Sequence, residues 1–123
     1  MFANVSLKGK IFHVQVLKAK PENDEFQNLV CKCEKLYMSM NKPFILSFDL
    51  FDMDILGPIE IITWMSMFVR VMPITKEYLV CTFVCVNKSL KEPIEMFLKM
   101  YNPVKPFCFF YDRSEFQDAI NKH

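Results

Sequence analysis

Glycine and histidine are both scarce in this chain of 123 residues, and each scarcity excludes a class of site. The two glycines, Gly9 and Gly57, cannot form a glycine-rich phosphate-binding loop, and no Lys-Ser/Thr pair follows Gly57. The two histidines are His13 and His123, so a histidine metal site or a catalytic dyad would depend on His13 alone. His13 alternates with apolar residues in a predicted strand, which places it on the polar, surface side. We therefore expect no cofactor, no metal and no enzymatic activity.

An excess of charge of one sign is also absent. Fifteen Lys and Arg residues face fourteen Asp and Glu residues, and the net charge is +1. Only two of the basic residues are arginine and they form no stripe, whereas nucleic-acid-binding surfaces favour arginine and basic stripes. The longest apolar-rich stretch, residues 59–72, contains polar side chains and is shorter than the ~20 residues that span a bilayer. We expect no nucleic-acid partner and no direct membrane insertion.

The cysteines are odd in number and contain no Cys-x-x-Cys pair. All five lie within apolar runs, which is typical of reduced thiols that pack as small hydrophobic side chains in the cytoplasm. The first residues also lack an apolar core of signal-peptide length. The sequence thus predicts a cytoplasmic protein whose thiols are buried: Cys31, Cys33, Cys81, Cys85 and Cys108.

Turn residues divide the chain into alternating strands and helices. The predicted order is β-β-α-β-α-β-α-β-α, with strands at 5–8, 11–18, 43–51, 78–86 and 106–111. Helices are predicted at 24–40, at 58–71, after Ser89 and after Ser114, with these two serines as caps. This alternation predicts a single α/β domain over residues 1–123, with a mostly parallel central sheet of about five strands and about four helices. Strands 43–51 and 78–86 have no polar face, so helices are expected on both sides of the sheet.

Three acidic residues surround the end of the third predicted strand: Asp49, Asp52 and Asp54. Ligands often bind at the carboxyl ends of parallel strands, so a magnesium or small-ligand site is one alternative here. Strand alternation, however, predicts Asp49 on the opposite side from Asp52 and Asp54. Solvated loop acids near a helix N-terminus are the favoured interpretation.

The order and lengths of these elements resemble the STAS domain, the fold of anti-sigma factor antagonists and of sulfate-transporter tails. Residues 43–50 resemble the first buried parallel strand of that family, and residues 78–86, 107–111 and 114–120 resemble its closing elements. The segment Asp54-Ile55-Leu56-Gly57 stands where the family has an Asp-Ser-Ser/Thr-Gly turn. The resemblance implies a partner-binding module. The serine that a partner kinase phosphorylates in the family is replaced here by Ile55 or Leu56, neither of which accepts phosphate.

The predicted helix at 59–71 is apolar except for a narrow polar stripe. If Ile61, Ile62, Met65, Phe68 and Val69 face the sheet, then Trp64, Met67 and Val71 flank the stripe on the solvent side. Tryptophan and methionine are enriched at interfaces. The sequence therefore predicts a docking surface for a protein partner or a second copy, formed by Asp52, Asp54, Gly57, Glu60, Trp64, Met67 and Val71. The alternative function is a structural subunit of a larger assembly, such as a viral particle.

Overall fold

The core of the molecule is one five-stranded sheet whose spatial order follows the chain, in a computed structural model that describes residues 2–123. The strands are β1 (Ala3–Lys8), β2 (Ile11–Val16), β3 (Phe44–Leu50), β4 (Leu79–Val86) and β5 (Phe107–Phe110). β1 and β2 form an antiparallel hairpin, and its turn uses Gly9 at φ 58°. All other neighbouring strands are parallel. The predicted α/β domain with a mostly parallel sheet is confirmed.

Within the described residues, five α-helices connect and follow the strands: α1 (Glu25–Met38), α2 (Pro58–Arg70), α3 (Met72–Tyr78), α4 (Lys91–Met100) and α5 (Arg113–Asn121). A 3₁₀ turn (Lys88–Leu90) leads into α4. The short helix α3 was not predicted, because Pro73 was interpreted as the end of the preceding helix. Pro73 instead lies in the first turn of α3, where a missing backbone N–H breaks no helical hydrogen bond.

The helices cover the two faces of the sheet unequally. Consecutive parallel strands joined by crossovers of one hand place their connecting helices on the same face. Accordingly, α1, α2 and α4 bury the larger core against residues such as Val14, Phe48 and Val84. The opposite face has a smaller core, in which Phe116 of α5 packs near Phe83. Helices on both faces were predicted, but the second face depends on one nine-residue helix.

Two predicted helix caps are shifted by two residues. The backbone N–H of Ser89 donates to Asn87 Oδ1, and that of Ser114 donates to Asp112 Oδ1, each at 2.7 Å. The side-chain nitrogen of Asn87 also donates to Phe51 O at 2.6 Å, Met53 O at 3.0 Å and Asp54 Oδ1 at 3.0 Å. Asn87 thus holds the irregular loop that leads into α2.

Candidate interaction surface

Helix α2 lies between α1 and α4 on the larger-core face. Gly57 precedes it in an extended conformation and Pro58 occupies its first turn, which suits a helix start. Trp64 packs edge-on against Phe48 of β3, with ring centroids 5.0 Å apart, and also lies 5.9 Å from Phe26 of α1. Phe68 lies 6.2 Å from Phe97 of α4. Both flanks of α2 are therefore anchored by aromatic contacts.

The expected exposure of Met67 and Val71 is wrong. Met67 is 1% exposed and Val71 is fully buried, because α1 packs against this flank of α2. The two helices are also joined by Arg70, whose Nη2 lies 2.6 Å from Glu34 Oε1, and this bond lowers the pKa of the Glu34 carboxyl. Trp64 is half-buried by its aromatic neighbours. Met67 and Val71 cannot contact a partner in this conformation.

The solvent side of α2 carries a different set, three apolar residues and one serine, which we call the outer ridge: Ile59, Ile62, Ser66 and Val69. Ile59 is 77% exposed, Ile62 is 48% exposed and Val69 is 61% exposed, while Ser66 between them is half-buried. At 100° per residue these four positions share an arc of about 80°. The expectation that Ile62 and Val69 face the sheet is wrong, although Ile61 and Phe68 do face it.

The polar stripe of α2 could have indicated the outer ridge from the sequence. The stripe lies beside the exposed face: Arg70 is exposed, Glu60, Thr63 and Ser66 are half-buried, and apolar residues adjoin the stripe on both flanks. The prediction chose the flank with Trp64 and Met67. Only the position of α1 shows that this flank is covered and that the other flank faces solvent.

The predicted loop residues make internal contacts. Asp54 accepts a hydrogen bond from Asn87, and Asp52 Oδ2 lies 3.1 Å from Arg113 Nη2. Gly57 has φ −82°, which any residue can adopt, and an added Cβ would approach only the flexible end of Glu60, at 3.1 Å. Asp54 therefore helps to fix the loop, whereas the backbone does not require glycine at position 57.

Asp49 and Asp52 were expected on opposite sides, and this is wrong. Arg113 of α5 bonds both: its Nε lies 3.0 Å from Asp49 Oδ2, and its Nη2 reaches Asp52. The strand ends at Leu50, and the turn that follows brings Asp52 back to the α5 side. The guanidinium also lies 5.1 Å from the Phe51 ring centre, and the two carboxylates raise the pKa of Arg113. Within residues 2–123, no group of three or more His, Cys, Asp or Glu side chains could hold a metal ion.

His13 was expected at the surface on the polar side of β2, but it lies on the α5 side of the sheet and is half-buried. Its Nδ1 is 2.7 Å from Ser47 Oγ, and its ring lies 6.5 Å from that of Phe116. Burial lowers the pKa of His13, while Asp49 raises it and Lys8 lowers it further. Ser47 is fully buried, so this pair offers no accessible nucleophile.

The prediction of buried cysteines is confirmed for three of the five. Cys33, Cys81 and Cys85 are buried, Cys108 is half-buried, and Cys31 is exposed on α1. Burial raises the pKa of Cys33 to about 12 and that of Cys85 to about 11. These two thiols are protonated at neutral pH and are poor nucleophiles, because thiolates carry the reactivity of cysteine.

No protein-family model, curated protein or solved structure matches this chain. In the described part of the chain, none of the helices has the length and apolar character needed to cross a membrane.

Proposed function

We propose that this chain is a non-catalytic, STAS-like interaction module that pairs with a second copy of itself through the outer ridge of α2. The observation that carries the proposal is the exposure of Ile59, Ile62 and Val69 on one face of a helix. Contiguous apolar side chains on a small domain commonly mark an interaction site. The STAS resemblance supports the same region, because α2 follows Asp54-Ile55-Leu56-Gly57, which stands where the family has the turn that its partner kinase recognises.

A second copy fits the outer ridge better than an unrelated partner. In an antiparallel pair of α2 helices, Ile59 of one copy lies near Val69 of the other, and the small Ser66 allows close approach at the centre. Apolar contacts carry this pairing, because Arg70 at the end of α2 is already bonded to Glu34 of α1 within each copy. Two-fold pairs of this kind are the commonest oligomers.

The outer ridge is small, and this sets the expected affinity. A helix of 13 residues is about 20 Å long. One face of such a helix offers less than the roughly 800 Å² that each partner contributes to a standard stable interface. We therefore expect a reversible dimer whose population rises with protein concentration.

The site chemistry supports a binding role over a catalytic one. The acidic residues Asp49 and Asp52 are bonded to Arg113, and the thiols of Cys33 and Cys85 are held in the protonated form. The free cysteines also fit the proposed location in the reducing cytoplasm. Neither nucleic acid nor a metal enters this proposal.

Light scattering over a range of protein concentrations tests the proposal. The wild-type mass should rise from monomer toward dimer, and the double variant Ile62→Glu, Val69→Glu should remain monomeric. The matched control is Leu7→Glu, Met38→Glu, which also replaces two exposed apolar residues but lies outside the ridge. The control should dimerise like the wild type. A wild type that is monomeric at every concentration, or a ridge variant that still dimerises, would refute the proposal.

A subunit of a larger assembly is the second candidate function, favoured by a second apolar patch on α4. Met96 is 44% exposed and Met100 is 50% exposed, and their spacing of four residues places them on one helix face. A chain with two separate exposed apolar surfaces can bind two neighbours at once, which allows assemblies larger than a dimer. Species larger than a dimer that disappear in Met96→Glu, Met100→Glu would favour this function.

A further inference from the structure

An apolar cavity of about 60 Å³ lies between the larger-core face of the sheet and helices α2 and α4. Its walls include Val14, Phe48 and Val84 from the strands, Trp64 from α2 and Phe97 from α4. Every side chain that lines it is aliphatic, aromatic or methionine. A cavity without polar partners does not hold ordered water, so this space is available to an apolar group.

The lining is not sealed from solvent. Phe26, Leu56 and Phe109 border the cavity and are only half-buried. Phe26 lies in the first turn of α1, Leu56 in the loop after β3 and Phe109 near the end of β5, which places all three toward the carboxyl edge of the sheet, where parallel sheets commonly receive ligands. The irregular loop that contains Leu56 has no helix or strand of its own. A molecule with a polar head could therefore enter from this edge and leave its head in solvent.

We propose that this cavity binds the end of an unbranched aliphatic chain, such as the tail of a small amphiphile. The volume of the cavity distinguishes an aliphatic chain from an aromatic ring as its occupant. An apolar cavity of about 150 Å³ accepts benzene, whereas one water needs only about 10–15 Å³. At about 60 Å³ the cavity is too small for an aromatic ring and large enough for a few methylene groups. The inference is independent of the proposed dimer, since the outer ridge does not line the cavity.

The chain provides its own reporter for this site. Trp64 is the only tryptophan and it lines the cavity, so its emission should respond to an occupant. Titration of the full chain with 1-hexanol should give a saturable change in fluorescence, and benzene should give none. A wild type without a saturable response to 1-hexanol, or one that binds benzene as well, would overturn the proposal.

Two valines on one strand supply a matched pair of variants. Val84 and Val86 are both buried on the same face of β4, and only Val84 lines the cavity. Val84→Ile adds one methylene group to the void and should weaken 1-hexanol binding by about fourfold. Val86→Ile makes the same chemical change outside the void and should leave binding unchanged. Equal losses in the two variants would contradict a site in this cavity.

A variant at the edge of the cavity provides a second test if Val86→Ile, which enlarges a side chain in the packed core, does not fold. Leu56 is half-buried in the loop, so Leu56→Ala carries little risk to the core and enlarges the cavity. This variant should bind benzene, which the wild type excludes by size. A folded Leu56→Ala protein that still excludes benzene while 1-hexanol binding is unchanged would place the alcohol elsewhere and refute the assignment.

Discussion

Replacing Arg113 with methionine should lower the free energy of unfolding by about 2 kcal/mol. Arg113 begins α5, the only helix that covers the second face of the sheet among residues 2–123, and it bonds to Asp49 at the end of β3. Methionine keeps an apolar stem over the Phe51 ring and removes the charge. The variant therefore leaves the Asp49 carboxylate without its cation.

The magnitude follows from the exposure of each partner. The side chain of Asp49 is 9% exposed, and hydrogen bonds to such charged groups contribute about 1.5–3 kcal/mol. Arg113 is 43% exposed, so solvent screening reduces this toward the lower part of that range. Asp52 is 48% exposed, and exposed pairs contribute about 0.2–1 kcal/mol. Asp52→Ala should thus cost clearly less than Arg113→Met.

Urea unfolding followed by Trp64 fluorescence measures both variants. Trp64 lies on the opposite face of the sheet from Arg113, so its emission reports unfolding of the whole domain. The urea concentration at the midpoint should fall while the dependence of the unfolding free energy on urea stays the same, which indicates lost stability without a change in the surface exposed on unfolding. Equal costs for Arg113→Met and Asp52→Ala would refute the assignment of the larger contribution to Asp49.

Three further outcomes are expected. Thr82 Oγ1 is buried and has no hydrogen-bond partner within residues 2–123. Thr82→Val should therefore raise the free energy of unfolding by up to about 1 kcal/mol. A lower free energy of unfolding would show that the hydroxyl has a partner. Because folding lowers the pKa of His13, its contribution to stability is present above about pH 6.5 and is lost as the pH falls below that value. The urea midpoint of a His13→Gln variant should therefore change less than that of the wild type as the pH falls through this range. Brief alkylation of the native chain should label Cys31 before Cys33, whose pKa is about 12, and equal labelling by peptide mass spectrometry would contradict the burial.

Much of the fold could be predicted because the pattern of apolar residues in its strands differs sharply from the pattern in its helices. Residues 44–49 of β3 and most of β4 are buried, and their nearly continuous apolar runs indicate strands covered on both faces without tertiary information. Pro73 misled the prediction because proline is found both after one helix and in the first turn of the next. The end of α2 and the start of α3 share the single residue Val71, which leaves no loop signal between them.

The surface was harder to predict than the core. Helix α2 has so many apolar residues that its own pattern allows two orientations, and the packing of α1 selects one of them. The pairing of Asp49 with Asp52 depends on Arg113, which is 61 to 64 residues away in sequence. Contacts over such separations depend on how the sheet folds, so the spacing of neighbouring residues in the sequence does not predict them.

The match between strand order in space and strand order along the chain has a consequence for how the protein is made. Each strand pairs with the strand that precedes it, so a chain that emerges from its amino end always finds its next partner already formed. The sheet can grow outward from the β1–β2 hairpin, one helix and strand at a time, without inserting a strand between two others. In this order of growth β5 would pair with the free edge of β4, and α5 would cover the second face only after β5 is in place.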